Sequence, residues 1–338
     1  MSKEIMMSDN TALVPLKIVA SGVALPADRV LSTDLDKRFN KRSGYVEKRA
    51  GIRWRYHATH SDSQAVLAAQ ALHHALAQQN IDPGSVDALI CASAIPVQAL
   101  PCSAAHILAC SSLTPGIACF DVNASCVSYL SALQVAGGLL ATNQYQRIAI
   151  VSADLASRGI DWTHEESSLI FGDGAACTIV EKGDGCSGIL SFRLETYPEG
   201  LDLCEIRAGG TRCNPRTGME EDDFLFHMKG KPLFRLASSL IEDFMDRVLS
   251  PTGIALSQID TVVPHQASHL SLEHMRKRLG ITDKQLVDIY ATRGNQVAAS
   301  IPSALHEAII TGRFYGKSAV LLVGTAAGLA LSAMVLVP

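Results

Sequence analysis

Three residues far apart in the chain have side-chain types used in thiol chemistry: Cys126, His265 and Asn295. Cys126 lies in CFDVNASCVSYLSAL, residues 119–133, where a strand-like apolar run gives way to apolar residues at helical spacing. A thiol at the first turn of a buried helix feels the positive end of the helix dipole, which we expect to lower its pKa and activate it as a nucleophile. The alternative is a cysteine that only packs, because free cysteines are often buried.

His265 follows the apolar run 261–264, so we expect it where a buried strand ends in a loop, a usual place for catalytic groups in α/β proteins. Asn295 lies in ATRGNQVAAS, residues 291–300, after a turn signal and before a helix of small residues. Each has an ordinary alternative: a surface or capping histidine, and a turn or N-cap asparagine. Because a nucleophile, a base and an orienting amide recur together in thiol catalysis, the three residues together indicate such a site.

The elements that must position these residues alternate between strand and helix patterns. Strands are predicted at 16–25, 87–95, 147–154, 175–180, 261–265, 318–324 and 329–337. Helices are predicted at 62–79, 127–142, 232–249, 269–279 and 299–312. This alternation predicts a layered α/β fold.

The two halves of the chain repeat this order of elements. VDALICASAIP is similar to IDTVVPHQAS, QRIAIVSAD to KSAVLLVGT, and GDGAACTIVEK to AAGLALSAMVLV. The repeat predicts a duplicated core, with an N-terminal half (1–182) that carries Cys126 and a C-terminal half (183–338) that carries the histidine and the asparagine. A segment rich in glycine, proline and charge predicts a surface insertion at about 195–230.

Composition excludes several classes of protein. Of the 338 residues, 48% are hydrophobic and 5% aromatic, and the formal net charge is −4, which argues against a nucleic-acid partner. The nine cysteines are odd in number and form no CxxC pair, which indicates a reducing cytoplasm rather than disulfides or a zinc site. No run approaches the roughly 18 apolar residues of a membrane span. We therefore expect a cytoplasmic protein without a metal, a redox cofactor or a membrane partner.

Six motifs in this order resemble the ketoacyl-acyl-carrier-protein synthase III family of thiolase-fold condensing enzymes. They are RAGIRWRYHA (49–58), FDVNASCVSYLSAL (120–133), LIFGDGAA (169–176), VPHQAS (263–268), RGNQVAASIPSAL (293–305) and LLVGTAAGLALS (321–332). The resemblance covers the chain from about residue 16 to the end. It implies a thiolase-like duplicated βαβαβαββ core in five layers, α-β-α-β-α.

The resemblance also implies a reaction. Cys126 takes an acyl group from a thioester, and the acyl-enzyme then undergoes a decarboxylative Claisen condensation with a malonyl-type thioester on acyl carrier protein. The backbone amides of Cys126 and Ala327 form the oxyanion hole, and His265 and Asn295 donate hydrogen bonds to the enolate oxygen. Coenzyme A or carrier-protein thioesters are then substrates, and no further cofactor is implied.

The family resemblance places substrate and partner contacts on further residues. Tyr45 and Arg49 match coenzyme A-binding positions, and Leu100 matches a residue that a dimer partner inserts into the acyl pocket. Phe171-Gly172-Asp173-Gly174 matches a structural turn. Acyl carrier protein is the expected partner, the chain is expected to form a homodimer, and a basic carrier-protein patch is predicted at Arg276, Lys277 and Arg278. The alternative for the patch is a solvated helix face.

The sequence departs from the family pattern at several positions. Arg293 replaces the usual histidine before Gly-Asn, and Ala326-Ala327-Gly328 replaces a run of glycines. Tyr45 replaces a tryptophan, and Glu165 stands near an arginine position, where an acid would repel the phosphates of coenzyme A. These departures predict a carrier-bound or less usual acyl donor and a specialised fatty-acid or secondary-metabolite pathway.

Two other functions remain open from the sequence. A non-condensing acyltransferase would keep Cys126 and move the acyl group to an alcohol or an amine. A silent partner subunit of an active paralogue would be expected to lack at least one of the three residues, and all three are present. A thiolase would need a second cysteine near the C-terminus, and none of the nine lies beyond residue 213.

Overall fold

A computed structural model describes residues 13–338, which form fourteen strands and ten α-helices. The strands are β1 Val14–Pro15, β2 Lys17–Ala24, β3 Arg29–Leu31, β4 Trp54–Tyr56, β5 Ala88–Cys91, β6 Ala118–Asp121, β7 Arg147–Asp154, β8 Gly174–Glu181, β9 Gly188–Thr196, β10 Cys204–Glu205, β11 His227–Met228, β12 Thr261–Pro264, β13 Val320–Ala326 and β14 Ala330–Val337. The α-helices are α1 Ser32–Arg38, α2 Tyr45–Ala50, α3 Gln64–Gln78, α4 Ser103–Cys110, α5 Ser128–Ala141, α6 Glu165–Ser168, α7 Gly230–Leu249, α8 His269–Arg278, α9 Tyr290–Arg293 and α10 Ser300–Ile310.

Two five-stranded mixed sheets form the framework. The first has the order β2-β8-β7-β5-β6, and the second has the order β1-β9-β14-β13-β12. In the first sheet, β5 runs parallel to β7, which pairs antiparallel with β8. In the second sheet, β12 runs parallel to β13, which pairs antiparallel with β14. The three repeated sequence pairs therefore occupy the same places in the two sheets, and the predicted repeat of elements is confirmed.

Helices α5 and α10 lie between the two sheets. Both helices contact strands of both sheets, and their buried side chains belong to one core cluster with residues of both sheets. Helices α3 and α4 cover the outer face of the first sheet, and α7 covers the outer face of the second. The layers run α-β-α-β-α, as the family resemblance implies.

Burial explains why these segments fold as they do. Strand β7 is buried at seven of its eight positions because both faces of the sheet are covered by helices, and its residues 148–151 form an unbroken apolar run. The outer helix α7 instead buries one stripe, Ile241, Phe244, Met245 and Val248, at the spacing of an amphipathic helix.

The segment predicted as a surface insertion differs from that expectation. Its first residues, up to Thr196, belong to the core strand β9, which pairs with β14. The remainder forms the two-stranded sheet of β10 and β11, and several of its side chains line the large cavity of the protein. The tip, 209–223, is mostly exposed. This part of the cavity wall is hard to recognise from the sequence, because its strands are only two residues long and its loops are polar.

No helix within residues 13–338 is long and apolar enough to cross a membrane.

Candidate active site

One cavity of about 1120 Å³ brings together residues from both halves of the fold. Its walls include Cys126, His265, Asn295 and Ala327, all of which the sequence singles out. Cys126 precedes α5, His265 follows β12, Asn295 precedes α10, and Ala327 lies in the turn between β13 and β14. The two central helices and the ends of the strands therefore place four predicted groups around one space.

The turn that carries the thiol is strained and held by hydrogen bonds. Ser125, directly before Cys126, has a φ of +52°, which is unfavourable for a residue with a side chain. The Oδ1 atom of Asn123 accepts the N–H of Ser125 at 2.9 Å, and its Nδ2 donates to the carbonyl of Ala94 at 2.9 Å. These bonds fix the turn, so Cys126 is presented to the cavity by a preorganised backbone.

The expected activation of the thiol by the helix dipole is wrong for the free protein. Burial raises the pKa of the Cys126 thiol to about 12, and the carboxylate of Asp154 adds to this rise. The backbone N–H groups of Ala327 and of Cys126 itself oppose the rise but are outweighed. Loss of water around a thiolate therefore dominates over the dipoles, and the resting group is a protonated thiol.

The same two N–H groups are the ones predicted for the oxyanion hole, and that role stays a prediction. Both donate toward the sulfur of Cys126, and both are backbone groups with a fixed position. The left-handed conformation in the turn falls on Gly328, with a φ of +125°, and not on Ala327. The alanine that replaces a family glycine therefore keeps its N–H without backbone strain.

His265 is almost completely buried, with 6% of its surface exposed. Its backbone N–H donates to the carbonyl of Val323 at 2.8 Å, which extends the pairing of β12 with β13. Burial lowers the pKa of the imidazole to about 4, so the ring is neutral at physiological pH. Its Nδ1 atom has no hydrogen-bond partner among the residues that the structure describes. A Cβ at Gly324 would lie 3.0 Å from the Cβ of His265, so a larger residue there would require the histidine to shift by a few tenths of an ångström.

The side chain of Asn295 has a defined orientation. Its Oδ1 accepts the N–H of Val297 at 2.9 Å, and its Nδ2 donates to the carbonyl of Ala267 at 3.2 Å. Val297 has a φ of +53°, a second strained residue at the cavity. Because the oxygen is already bonded to a donor, the amide presents its N–H₂ group, which retains one hydrogen for a ligand.

Asp154 is a buried acid at the site that the sequence does not single out. Its carboxylate accepts the N–H groups of Ala94 and Ile95, at 3.2 and 3.0 Å, in the loop after β5. It also accepts the N–H of Ala298, at 3.1 Å, in the loop after Asn295. Burial raises its pKa to about 7 despite these three donors. The carboxyl group of Asp154 therefore links the loop after β5, which supports the turn of Cys126, to the loop that follows Asn295.

The predicted coenzyme A-binding residues occupy the rim in a different arrangement. Arg49 and Glu165 line the cavity, whereas Tyr45 is not among its described lining residues. The hydroxyl of Tyr45 donates to Glu165 at 2.9 Å, and the ammonium of Lys41 lies 2.6 Å from the same carboxylate. The acid predicted to repel phosphates is thus compensated by a lysine. Leu100 is 83% exposed and lies outside the described lining of this cavity.

The cations predicted as a carrier-protein patch are paired with acids of the same chain. Arg276 and Lys277 bind Glu273, at 3.0 and 2.8 Å, and Arg278 binds Glu242 at 2.8 Å. Arg276 also lies 3.1 Å from Asp283. This arrangement matches the alternative of a solvated helix face, although Lys277 does line the cavity rim.

The structure also locates Arg293 and the turn of residues 171–174, which the sequence analysis singles out. The guanidinium of Arg293 lies 5.7 Å from the ring of Tyr56, and the side chain is not among the described lining residues. The turn of residues 171–174 packs against residues 293–296: a Cβ on Gly172 would lie 2.0 Å from the carbonyl oxygen of Arg293, and one on Gly174 would lie 1.9 Å from Nε2 of Gln296. Its two glycines permit this close approach, in agreement with the structural role expected from sequence.

Family models match both halves of the chain. Residues 120–198 match the model of 3-oxoacyl-[acyl-carrier-protein] synthase III, and residues 249–337 match the model of the C-terminal part of the same enzymes. The beta-ketoacyl-[acyl-carrier-protein] synthase III of Neisseria meningitidis serogroup B is 31% identical over 95% of this chain and 98% of its own. That of Rhodospirillum rubrum is 32% identical over 90% of this chain and 94% of its own.

Solved structures agree with these sequence matches. The 3-oxoacyl-(acyl carrier protein) synthase III of Pseudomonas aeruginosa has a TM-score of 0.85 and 27% identity, over 96% of this chain and 98% of its own. OleA of Xanthomonas campestris has a TM-score of 0.84 at 19% identity, over 98% of this chain and 100% of its own, and shares the fold.

The fold and the cavity define a condensing acyltransferase of the thiolase fold. More particularly, the chain belongs to the 3-oxoacyl-[acyl-carrier-protein] synthase III family, and the resemblance read from the six motifs is confirmed. Its function is therefore that of a β-ketoacyl synthase III-type condensing enzyme of fatty-acid biosynthesis.

Proposed function

We propose that Cys126 is the nucleophile of this condensing enzyme. Its sulfur attacks the carbonyl of an acyl thioester, the oxyanion accepts the N–H groups of Cys126 and Ala327, and the C–S bond of the donor breaks. The thiol proton leaves with the departing thiolate. The observation that carries the proposal is the position of Cys126, Ala327, His265 and Asn295 on the walls of one cavity.

The second half-reaction uses the histidine and the asparagine as hydrogen-bond donors. A malonyl-type thioester loses carbon dioxide, and the electron pair of the broken C–C bond forms an enolate whose oxygen accepts N–H groups from the neutral imidazole of His265 and from Nδ2 of Asn295. The enolate carbon attacks the acyl carbonyl, and the sulfur of Cys126 leaves and is protonated. Because carbon dioxide leaves in place of a proton, the step requires no strong base, metal or redox cofactor.

Acyl carrier protein is the proposed partner, and the cavity rim supports a revised patch for it. Lys231 and Arg235 line the rim, lie four residues apart on α7, and have no ion-pair partner among the residues described. Leu270, which lines the same cavity, is 72% exposed. Unpaired cations next to an apolar entrance suit an acidic carrier that delivers an acyl chain better than the paired cations on α8 do.

The assembly and the donor preference are also proposals. Within residues 13–338, strand β6 lies at the edge of the first sheet and pairs with β5 on one side only, and an unpaired edge is a template for pairing with a second copy. The exposed Leu100 is consistent with such a homodimer. A carrier-bound or unusual donor in a specialised cytoplasmic pathway remains our prediction, although Lys41 weakens the argument from Glu165.

The two half-reactions provide the test. Purified protein is incubated with acyl thioesters, and adducts on Cys126 are measured by intact mass; malonyl-carrier decarboxylation is measured separately. Cys126→Ser should lose acylation, whereas His265→Ala and Asn295→Ala should acylate but lose decarboxylation by about 100- to 1000-fold. Equal loss of both half-reactions in the latter two variants contradicts the assigned roles. Acyl transfer to an alcohol or amine without condensation would indicate the non-condensing alternative, and absence of any adduct would indicate a silent subunit.

A further inference from the structure

The cavity differs in character between its mouth and its interior. At the mouth, Leu270 is 72% exposed, and the rim carries the charged side chains of Lys231, Lys277 and Glu166. The interior wall comes from the loop after β7, the turn before β8 and the hairpin of β10 and β11. We call the part of the cavity beside this wall the apolar limb. It is lined by Ala156, Gly159, Phe171, Cys204, Ile206 and Phe226.

The apolar limb begins at the catalytic thiol and reaches into the core. Cys204 lies close enough to Cys126 for the charge of one to affect the pKa of the other. Phe171 forms an isolated backbone bridge with Asn295, and both residues line the cavity. Ala156 and Phe171 are only 7% and 5% exposed, although both line the cavity. A group bound to the sulfur of Cys126 therefore has buried apolar surface beside it.

Small side chains leave this space open. Alanine, glycine and cysteine occupy positions 156, 159 and 204. A Cβ on Gly159 would meet only Cδ1 of Ile206 and the carbonyl oxygen of Phe224, both at 3.7 Å, which is ordinary van der Waals contact. The rings of Phe171 and Phe226 meet edge to face with centroids 4.9 Å apart and complete the apolar surface.

The size of the cavity exceeds what a minimal acyl group needs. An acetyl group extends only one carbon–carbon bond, about 1.5 Å, beyond its carbonyl carbon. The whole cavity, with its mouth and the apolar limb, has a volume of about 1120 Å³, above the range of about 300 to 1000 Å³ that is usual for small-molecule sites. A substrate that stopped at acetyl would leave the apolar limb filled by water against hydrocarbon walls, which is unfavourable.

We propose that the acyl donor carries an acyclic hydrocarbon chain of medium or greater length, and that this chain lies in the apolar limb beside Cys126. This inference rests on the proposed acylation of Cys126 and specifies its substrate class. Burial of one methylene group strengthens binding about fourfold. Octanoyl has four methylene groups more than butyryl, so their complete burial gives octanoyl an advantage of up to about 250-fold in the second-order rate of acylation.

The test compares chain lengths on a constant, uncharged leaving group. Acetyl, butyryl, octanoyl, decanoyl and benzoyl thioesters of N-acetylcysteamine are each incubated with the full-length protein, and acylation of Cys126 is followed by intact mass. Cys204→Phe and Gly159→Leu fill the apolar limb from two sides. The matched controls are Cys186→Phe, at an exposed cysteine, and Gly138→Leu, at a helix position with open space around it. Thermal unfolding checks that each variant is folded.

The outcomes separate this inference from the function on which it rests. The inference expects rates that rise from acetyl to octanoyl or decanoyl, and an octanoyl-to-butyryl ratio that falls at least about tenfold in either limb variant but not in the controls. Fastest acylation by acetyl, butyryl or benzoyl, or an unchanged ratio in both folded limb variants, overturns the inference and leaves Cys126 as the nucleophile. Failure of every thioester to label Cys126 contradicts the proposed function itself.

Discussion

The high pKa of Cys126 makes a quantitative prediction about its reactivity in the free protein. Burial and the nearby Asp154 carboxylate raise the pKa of this thiol from 9.0 to about 12. The thiolate fraction near neutral pH is then about a thousandfold smaller than for an ordinary cysteine. A thiolate of higher pKa is a better nucleophile, with a Brønsted coefficient of about 0.4 to 0.5, which recovers part of the loss. The expected net effect is alkylation about 30- to 60-fold slower than at an ordinary thiol.

The assay is alkylation by iodoacetamide, resolved by peptide mass spectrometry over a series of pH values. Cys110 and Cys186 are exposed and serve as references within the same chain. Labelling of Cys126 should rise about tenfold per pH unit and should not level off between about pH 7 and pH 10. In Asp154→Asn, labelling should be faster above about pH 7, because the wild-type carboxylate is charged there and raises the pKa of the thiol.

A plateau of Cys126 labelling near neutral pH would refute this reasoning, because it would mean that the thiolate already predominates without substrate. Labelling of Cys126 faster than that of the two exposed cysteines at neutral pH would have the same consequence. The dipole of α5 and the two N–H groups would then outweigh desolvation, as the sequence alone predicts. If labelling is slow in the free protein but acylation is rapid, the thiol must be activated only after the substrate binds.

Two more predictions concern stability and carrier recognition. Because burial raises the pKa of Asp154 from 3.8 to about 7, the protonated carboxyl contributes stability that is fully present below about pH 3.8 and lost as the pH rises through about 7. This contribution of about 4 kcal/mol should disappear from the pH dependence of urea unfolding in Asp154→Asn, and parallel curves for the two proteins would contradict it. The Lys231→Glu/Arg235→Glu double variant should raise the KM for malonyl-carrier protein about tenfold at low salt, whereas Arg278→Glu, whose cation is already paired, should change it less than about twofold. Equal effects of the two variants on KM would contradict the patch on α7 and support the one predicted on α8.

The sequence predicts the framework well because the main strands are buried on both faces. Both β7 and β13 contain an unbroken apolar run, 148–151 and 320–323, and need no long-range information to be recognised. Strand β9 is different: its second half is only partly buried, and it lies in a segment whose composition is typical of loops. The hairpin of β10 and β11 is harder still, because strands of two residues have no periodicity.

The residues that line the cavity at the proposed catalytic positions were also predictable, whereas their electrostatic state was not. Cys126, His265 and Asn295 follow strand ends or precede helices in patterns that the sequence shows directly. The pKa of the cysteine depends on how completely the folded chain removes water, which local sequence does not reveal. The ion pairs show the same limit. Glu273 precedes Arg276 by one helical turn, so this pair can be predicted from the sequence, whereas the partner of Arg278 lies on another helix and cannot.

The two halves of the fold resemble each other in the local structure of the site as well as in the order of their elements, which is all that the sequence repeat shows. Asn123 and Asn295 occupy equivalent turns before the central helices α5 and α10. Each accepts, through Oδ1 and at 2.9 Å, the N–H of the residue two positions later, Ser125 or Val297. Those two residues have nearly the same strained φ, +52° and +53°. One local motif, an asparagine turn closed by a left-handed residue, therefore begins both helices.

The equivalence extends to the strands and shows where the two halves diverge. Asn123 donates to the carbonyl of Ala94, three residues after the end of β5, and Asn295 donates to that of Ala267, three residues after the end of β12. In this register Cys126 corresponds to Ala298, whose N–H is held by Asp154. The first turn thus places a cysteine at the cavity, whereas the second has an alanine at the corresponding position and places its asparagine at the cavity. A single strained motif, used twice, can therefore position the two different groups proposed to act in catalysis, because the strain fixes each backbone while the side chains remain free to differ.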